Sequence, residues 1–270
     1  MSGIAVFGIT GRMGQTLVRA LREGGAAQPL RLVGAVASPL SGRLGSDAAA
    51  DGAPTGVLVT ADPGTALRDA AVAVDFSLPQ CVAGNALACM AARVPVLVCA
   101  TGFDGATREV LDAAAGVIPV LIAPNTSVGV NLVARLVKLA ARGLGPAYDV
   151  EISEAHHRMK RDAPSGTALA LGEVVAAERG RQLADVAVFD RHGPDAQRKA
   201  GDIGFAVLRA GDIVGEHTVT FAVAGERVEI THRATDRITF AHGALRAAAW
   251  LSRRQPGLYA MDDVLGLDQP

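Results

Sequence analysis

The sequence predicts an α/β protein, with a parallel sheet covered on both faces in its first half and an α+β unit after Pro124. Three observations carry this. Short apolar runs alternate with amphipathic stretches over the first 120 or so residues. A glycine-rich turn joins the first apolar run to the first amphipathic one. Beyond Pro124 the alternation gives way to longer runs separated by turns.

The predicted strands of the first half are Ile4–Phe7, Leu32–Val36, Val57–Val59, Val72–Phe76, Val94–Cys99 and Val117–Ile122. Met13–Glu23, Gln80–Ala92 and Thr107–Ala115 read as the helices between them. Strands that are apolar throughout, rather than alternating, belong to sheets buried on both faces. In the second half, a helix at Asn131–Arg142 leads into a strand at Asp149–Ala155, and a second helix runs from about Thr167 to Arg181. Val186–Phe189, Gly204–Arg209, Glu216–Val223 and Arg227–Arg233 follow as strands of a mixed or antiparallel sheet, the last two joined by a turn at Ala224-Gly225-Glu226. Phe240–Ser252 reads as a closing helix, and Asp190–Asp202, rich in polar and turn residues, as a mobile loop.

Composition narrows the function classes. Half the 270 residues are hydrophobic, a fifth are charged, and the net charge is −1. That balance supplies a full core and gives no electrostatic reason for a nucleic-acid or membrane partner. Aromatics make up 4 % of the chain, too few for a base-stacking surface. The start MSGIAVFGIT lacks a basic region and a long apolar segment, so a cytoplasmic protein is expected. Cys81, Cys89 and Cys99 fit no zinc or redox spacing and read as small buried hydrophobes.

The first strand runs into Gly8-Ile9-Thr10-Gly11-Arg12-Met13-Gly14. Gly8 allows the tight turn, Gly11 a close approach to a pyrophosphate, and Gly14 close packing of the helix on the sheet. The helix start then faces the anion with free N–H groups. The spacing G-x-x-G-x-x-G departs from the commonest fingerprint, so its position between first strand and first helix carries the inference. The second strand ends in Ser38-Pro39, with no carboxylate to clasp a ribose diol, and Arg43 lies in the same loop. This predicts use of NADPH and NADH, with a modest NADPH bias carried by Arg43.

The most informative segment is Glu151–Thr167, which holds His156, His157, Arg158, Lys160, Arg161 and Pro164-Ser165-Gly166-Thr167. Histidine exchanges protons near neutral pH, and an adjacent lysine can donate one or hold a carboxylate. Ser165, Gly166 and Thr167 can offer N–H groups and hydroxyls to an anion at a helix start. Ala168 stands where a capping box needs Glu or Gln, so the first-turn amides are expected to be uncapped. Each part also has a plainer reading: loop histidines, a helix cap, a solvated cationic patch. Their conjunction points to a site. No carboxylate or cysteine stands at ligand spacing, so no metal is expected.

Together these segments resemble the 4-hydroxy-tetrahydrodipicolinate reductase (dihydrodipicolinate reductase) family over nearly the whole chain. The matching pieces are Gly8–Gly14, Asp75-Phe76-Ser77, Thr101-Gly102-Phe103, Ala123-Pro124-Asn125, Ser127–Asn131 and Glu154–Thr167. Ile203–Phe205, Arg209–His217, Glu229–Ala234, Arg237 and Phe240–Ala244 complete them. The resemblance implies a Rossmann-type dinucleotide-binding domain (1–126 and 240–270) with an inserted α+β substrate and oligomerisation domain (127–239). It implies hydride transfer from NADPH or NADH to a cyclic, imine-type dicarboxylate after loss of water. His156 and Lys160 become the acid/base pair, and His157, Ser165, Gly166, Thr167 and Arg237 surround the substrate carboxylates. Gly8, Arg12, Met13, Thr101, Gly102, Ala123 and Asn125 fall on the cofactor side, joining Gly11, Gly14 and Arg43 from the loop readings above, and a homotetramer is expected. The chain departs from the family pattern at Ser38-Pro39, Cys99-Ala100, Thr126 and Met159. An aspartate-type dehydrogenase and a non-catalytic NADPH sensor are the alternatives; the His156 and Lys160 pair favours catalysis, because a sensor needs no proton donor.

Overall fold

In the first strand, Ile4 and Val6 point into one apolar cluster while Ala5 and Phe7 point into another. A strand apolar at every position therefore has a buried partner on each side. The computed structural model, which describes residues 1–24 and 30–267, extends that arrangement into a parallel sheet of seven strands. Its elements in chain order are β1 (Ser2–Phe7), α1 (Arg12–Glu23), β2 (Leu30–Val36), β3 (Val59–Thr60), α2 (Pro63–Leu67), β4 (Val72–Asp75), α3 (Val82–Ala92), β5 (Val96–Val98), α4 (Gly105–Ala115) and β6 (Pro119–Ile122).

The second half contributes α5 (Val128–Leu144), β7 (Asp149–His156), α6 (Gly166–Glu178), α7 (Leu183–Val186), β8 (Ala187–Val188), β9 (Ile203–Arg209), β10 (Gly215–Val223) and β11 (Glu226–Ala234). The chain then returns to the first sheet through α8 (Ile238–Leu251), β12 (Gly257–Tyr259) and α9 (Met261–Leu265). Contacts divide it into one unit of residues 1–128 with 237 onward, and another of Gly129–Asp236. The sequence placed these boundaries at 126/127 and 239/240.

In the first unit the strand order is β12-β6-β5-β4-β1-β2-β3. Order reverses between β1 and β4, and such a reversal opens a crevice beyond the carboxyl ends of the strands. Residues of α1, α8 and α9 pack on one face, and residues of α2, α3 and α4 on the other. In the second unit the order is β11-β10-β7-β9-β8, with β10 antiparallel to both neighbours and β7, β9 and β8 parallel. Val150 and Ile152 of β7 pack with α5 and α6 on one face.

The structure amends several expectations. The β10–β11 turn is Ala224-Gly225 alone, because Val223 pairs with Glu226 and Gly225 takes a positive φ of 94°. The third strand is shifted to Val59–Thr60, while Leu58 bridges to Asp47. The helices α2, α7 and α9 and the strand β12 had no clear sequence signal. Of the three cysteines Cys89 is buried, but Cys81 is exposed. The 190–202 loop is clasped: Arg198 pairs with Asp149 at 2.8 Å and with Glu151, which Arg191 also meets at 3.1 Å. No helix among the described residues is long and apolar enough to cross a membrane.

Candidate active site

The first unit places the expected cofactor residues on loops at the carboxyl ends of neighbouring strands. Gly8 leaves β1 with a φ of 75°, and a Cβ there would lie 2.7 Å from the Phe76 carbonyl oxygen. Gly11 is the N-cap of α1, with no side-chain cap and no acidic residue in the first turn. Arg12 stands exposed at the first helical position, and Met13 packs against the core. Gly14 is buried; a Cβ would meet the Ile9 and Gly8 carbonyl oxygens at 2.5 and 2.6 Å. The loop is thus a cradle that side chains would fill, opening on an uncapped helix start. Those are the requirements of a dinucleotide pyrophosphate, and the residues present fit it.

Thr101 and Gly102 follow β5, both exposed, and Gly102 has a φ of 77°. Ala123 and Asn125 follow β6; Ala123 is buried, and Asn125 accepts a 2.9 Å bond from the Ser127 amide. The departure Thr126 donates through its hydroxyl to the Phe240 carbonyl, 2.7 Å away, tying this loop to α8. Arg237 lies half-buried at the N-cap of α8. Burial, then the neighbouring Arg12 charge, makes its proton easier to lose than usual.

Two placements correct the sequence reading. Arg43 donates through Nη2 to the carbonyls of Asp47 and Ala49, at 2.6 and 2.7 Å, so it staples its own loop. Ser165 is 2 % exposed and its groups are taken. Its amide donates to Glu154 (2.9 Å), and its hydroxyl meets Ala168 N (3.2 Å) and His217 Nε2 (2.9 Å). The first turn of α6 is therefore side-chain capped at Ala168, with Gly166 exposed and Thr167 half-buried beside it.

In the second unit the period of two along β7 puts Val150, Ile152, Glu154 and His156 on one buried face. The face is apolar at its start and polar at its end. His156 Nδ1 lies 2.6 Å from Glu154 Oε2. Arg209 of β9, paired in register with His156, forks onto both Glu154 oxygens at 2.7 and 2.8 Å. Lys160 Nζ contacts Asp162 Oδ2 at 2.9 Å, and His157 is half-buried beside it on the same loop. Met159, another departure, is 76 % exposed. Burial, then the charges of Lys160 and Arg209, lower the basicity of His156 despite an opposing push from Glu154. His217 falls to about 4, chiefly through burial. Both rings are thus neutral near pH 7.

Glu154, Arg209 and His217 lie within the sequence motifs, but the sequence alone gives them no role. Period two along β7 could have flagged Glu154 as sharing a face with His156; nothing local flagged Arg209 or His217. No cluster of three or more metal-ligating side chains occurs among the described residues.

A glycine cradle at a strand-order reversal, carried on one chain with a histidine–carboxylate–lysine cluster, defines a two-unit nicotinamide-dependent oxidoreductase. Comparison with known proteins gives the particular family. Dihydrodipicolinate reductase, N-terminus, matches residues 2–126, and dihydrodipicolinate reductase, C-terminus, matches residues 129–265. The chain belongs to the dihydrodipicolinate reductase family and is an enzyme using NADPH or NADH. It is 51 % identical to a 4-hydroxy-tetrahydrodipicolinate reductase of Thiobacillus denitrificans over 98 % of each chain. Against the enzyme of that name from Alkalilimnicola ehrlichii the identity is again 51 %, over 98 % of each chain. A dipicolinate-bound dihydrodipicolinate reductase from Paenisporosarcina sp. TG-14 shares the fold, with a TM-score of 0.77 and 23 % identity over 96 % of this chain and 97 % of that one. The family match favours neither the aspartate-type dehydrogenase nor the sensor.

Proposed function

We propose that this protein reduces 4-hydroxy-tetrahydrodipicolinate, with loss of water, to tetrahydrodipicolinate in lysine and diaminopimelate biosynthesis, in the cytoplasm. The single observation that carries the reading is the polar end of β7. There His156 is anchored on Glu154, Lys160 is close enough to lower its basicity, and the start of α6 follows on the same segment. The net change is loss of one water and gain of one hydride and one proton. A bound nicotinamide supplies the hydride.

The chain's own residues supply the rest. His156 and Lys160 exchange the protons of dehydration and reduction. Gly166 and Thr167 at the start of α6, with His157, hold substrate carboxylates; Ser165 acts through them by fixing that helix start. Arg237 adds a cation for an anionic ligand, and with Arg12 it forms a pair with no carboxylate partner among the described residues. The outer face of the mixed sheet carries a shallow groove lined by Ser153, Ala155, Ala206, Leu208 and Thr218, with Leu208 55 % exposed. That face supports assembly into a homotetramer, which light scattering coupled to gel filtration measures.

The test is a coupled assay with synthase-generated substrate, followed by cofactor absorbance. His156→Ala and Lys160→Ala should each lower kcat by roughly 10²–10⁴-fold. NADPH affinity should stay near wild type, because both residues lie outside the glycine-loop unit. Wild-type turnover in both variants would remove the acid/base assignment.

A further inference from the structure

Glu154, Arg209 and Gly215, all outside the expected set, lie around the ring of His156 beside that of His217. Glu154 is one: its side chain is 1 % exposed, and its two oxygens make four hydrogen bonds. Oε1 takes the Ser165 amide and Arg209 Nη2; Oε2 takes His156 Nδ1 and Arg209 Nη1. Gly215, at the head of β10, is the third. A Cβ at that position would sit 3.0 Å from His156 Nε2 and 3.4 Å from Cδ2.

We propose that Glu154, backed by Arg209, and Gly215 are positioning residues that hold His156 as a proton acceptor through Nε2 and leave proton donation to Lys160. The inference rests on the reading of His156 and Lys160 as the acid/base pair. Burial works against the Glu154 charge, but bonds from Arg209, His156 and Ser165 outweigh it and keep the carboxyl below its ordinary range. An ionised carboxylate only accepts. The proton between it and His156 therefore resides on Nδ1, and a neutral ring then presents a lone pair at Nε2.

Arg209 decides the second half of the design. An unpaired buried carboxylate would stabilise the imidazolium and make the ring a donor. The guanidinium offsets part of that pull and burial outweighs the rest, so Glu154 orients the ring while the ring stays neutral. Arg209 also donates to the Asp162 carbonyl at 2.6 Å, and the Asp162 carboxylate holds Lys160. One network thus reaches both the acceptor and the donor. The ionisable groups facing His156 are Glu154 on its own strand, Arg209 on β9, His217 on β10 and Lys160 on the following loop. The His217 ring stands edge-on with centroids 5.2 Å apart. Gly215 leaves the Nε2 edge open, where any side chain would press on the reacting nitrogen.

The experiment uses the full-length enzyme with cofactor, its kcat and KM measured across pH, and histidine-specific ¹⁵N NMR. The wild-type spectrum should show His156 protonated at Nδ1; a proton at Nε2 would overturn the proposal at once. Glu154→Gln turns an amide toward the ring and favours the other tautomer. It should cost about 10²-fold or more in kcat, with KM within about threefold. The acidic limb of kcat/KM should move to lower pH, because the carboxylate that raises His156 is gone. Gly215→Ala leaves the ion pair intact and should cost at least about tenfold in kcat, so it decides the matter if Glu154→Gln does not fold. Arg209→Lys should restore part of what Arg209→Met loses. A folded Glu154→Gln or Gly215→Ala with wild-type kcat, or with a change in KM alone, refutes positioning. If His156→Ala is inactive while those variants are not, only this inference falls; if His156→Ala is active, the acid/base reading beneath it falls.

Discussion

Substituting Gly14 by alanine isolates the close approach on which the glycine loop depends. The added Cβ would lie 2.5 Å from the Ile9 carbonyl oxygen, 2.6 Å from that of Gly8 and 2.6 Å from Ile9 Cα. All three are backbone atoms, so no side-chain rotation relieves the clash. The loop must lift from α1 by about 1 Å to reach ordinary contact near 3.5 Å. Overpacking of this kind costs about 1–3 kcal/mol, and alanine returns about 1 kcal/mol through helix propensity. The net loss is therefore about 0–2 kcal/mol of stability, while the displaced loop no longer presents its amides to one phosphate. Losing one charge-assisted contact of about 1.5–3 kcal/mol raises the NADPH dissociation constant by roughly 10–150-fold. Gly84 is the control: it lies within α3, and a Cβ there meets nothing within 4 Å. Gly84→Ala should bind NADPH normally and gain up to about 1 kcal/mol. Fluorescence titration of NADPH and thermal melting measure both quantities. If Gly14→Ala binds within twofold of wild type and melts no lower, the glycine is not required by close approach.

The other expectations can be tested alongside. Pyridine-2,6-dicarboxylate should inhibit competitively, and Arg237→Ala should weaken it by roughly 10–150-fold, as befits a charge-assisted contact; unchanged inhibition would take Arg237 out of the substrate pocket. His217, lowered in the fold from an ordinary 6.5 to about 4, binds its proton more readily when unfolded. Its contribution to stability is therefore intact above pH 6.5 and is lost as pH falls from there toward 4, by about 3 kcal/mol in all. Urea denaturation at pH 7 and pH 4.5 should show that slope, and His217→Gln should flatten it; an equal slope in the variant would assign it elsewhere. Arg43→Ala should loosen its loop and reduce kcat/KM for NADPH and NADH alike, leaving their ratio within about threefold, because its Nη2 is spent on Asp47 and Ala49. A selective loss of NADPH use would instead make Arg43 the phosphate ligand.

What could be read along the chain is what depends on neighbours in sequence. Ile4–Phe7 is apolar at every position, and that alone calls for a sheet covered twice. The spacing of Gly8, Gly11 and Gly14 between strand and helix already describes a cradle for a pyrophosphate. The Glu154–Thr167 run carries the family resemblance and brings His156 and Lys160 within four residues of each other. Helix and strand periods are local properties, so most elements were placed within a few residues of their ends. The exceptions lacked a local signal: β12 has three residues and no alternation, and it is a strand only because the edge of β6 receives it.

Tertiary structure decided which groups meet. Arg209 reaches Glu154 across 55 positions and Ser165 meets His217 across 52, through a strand register that no single segment encodes. The same register puts Gly215 against Nε2 of His156. It also gives two candidates partners within the fold: Ser165 bonds with Glu154, Ala168 and His217, and Arg43 with the carbonyls of its own loop. A donor's spacing in sequence says what it could bind. Whether it remains available depends on which acceptors the folded chain carries to it, and that is set by packing between segments far apart in the chain.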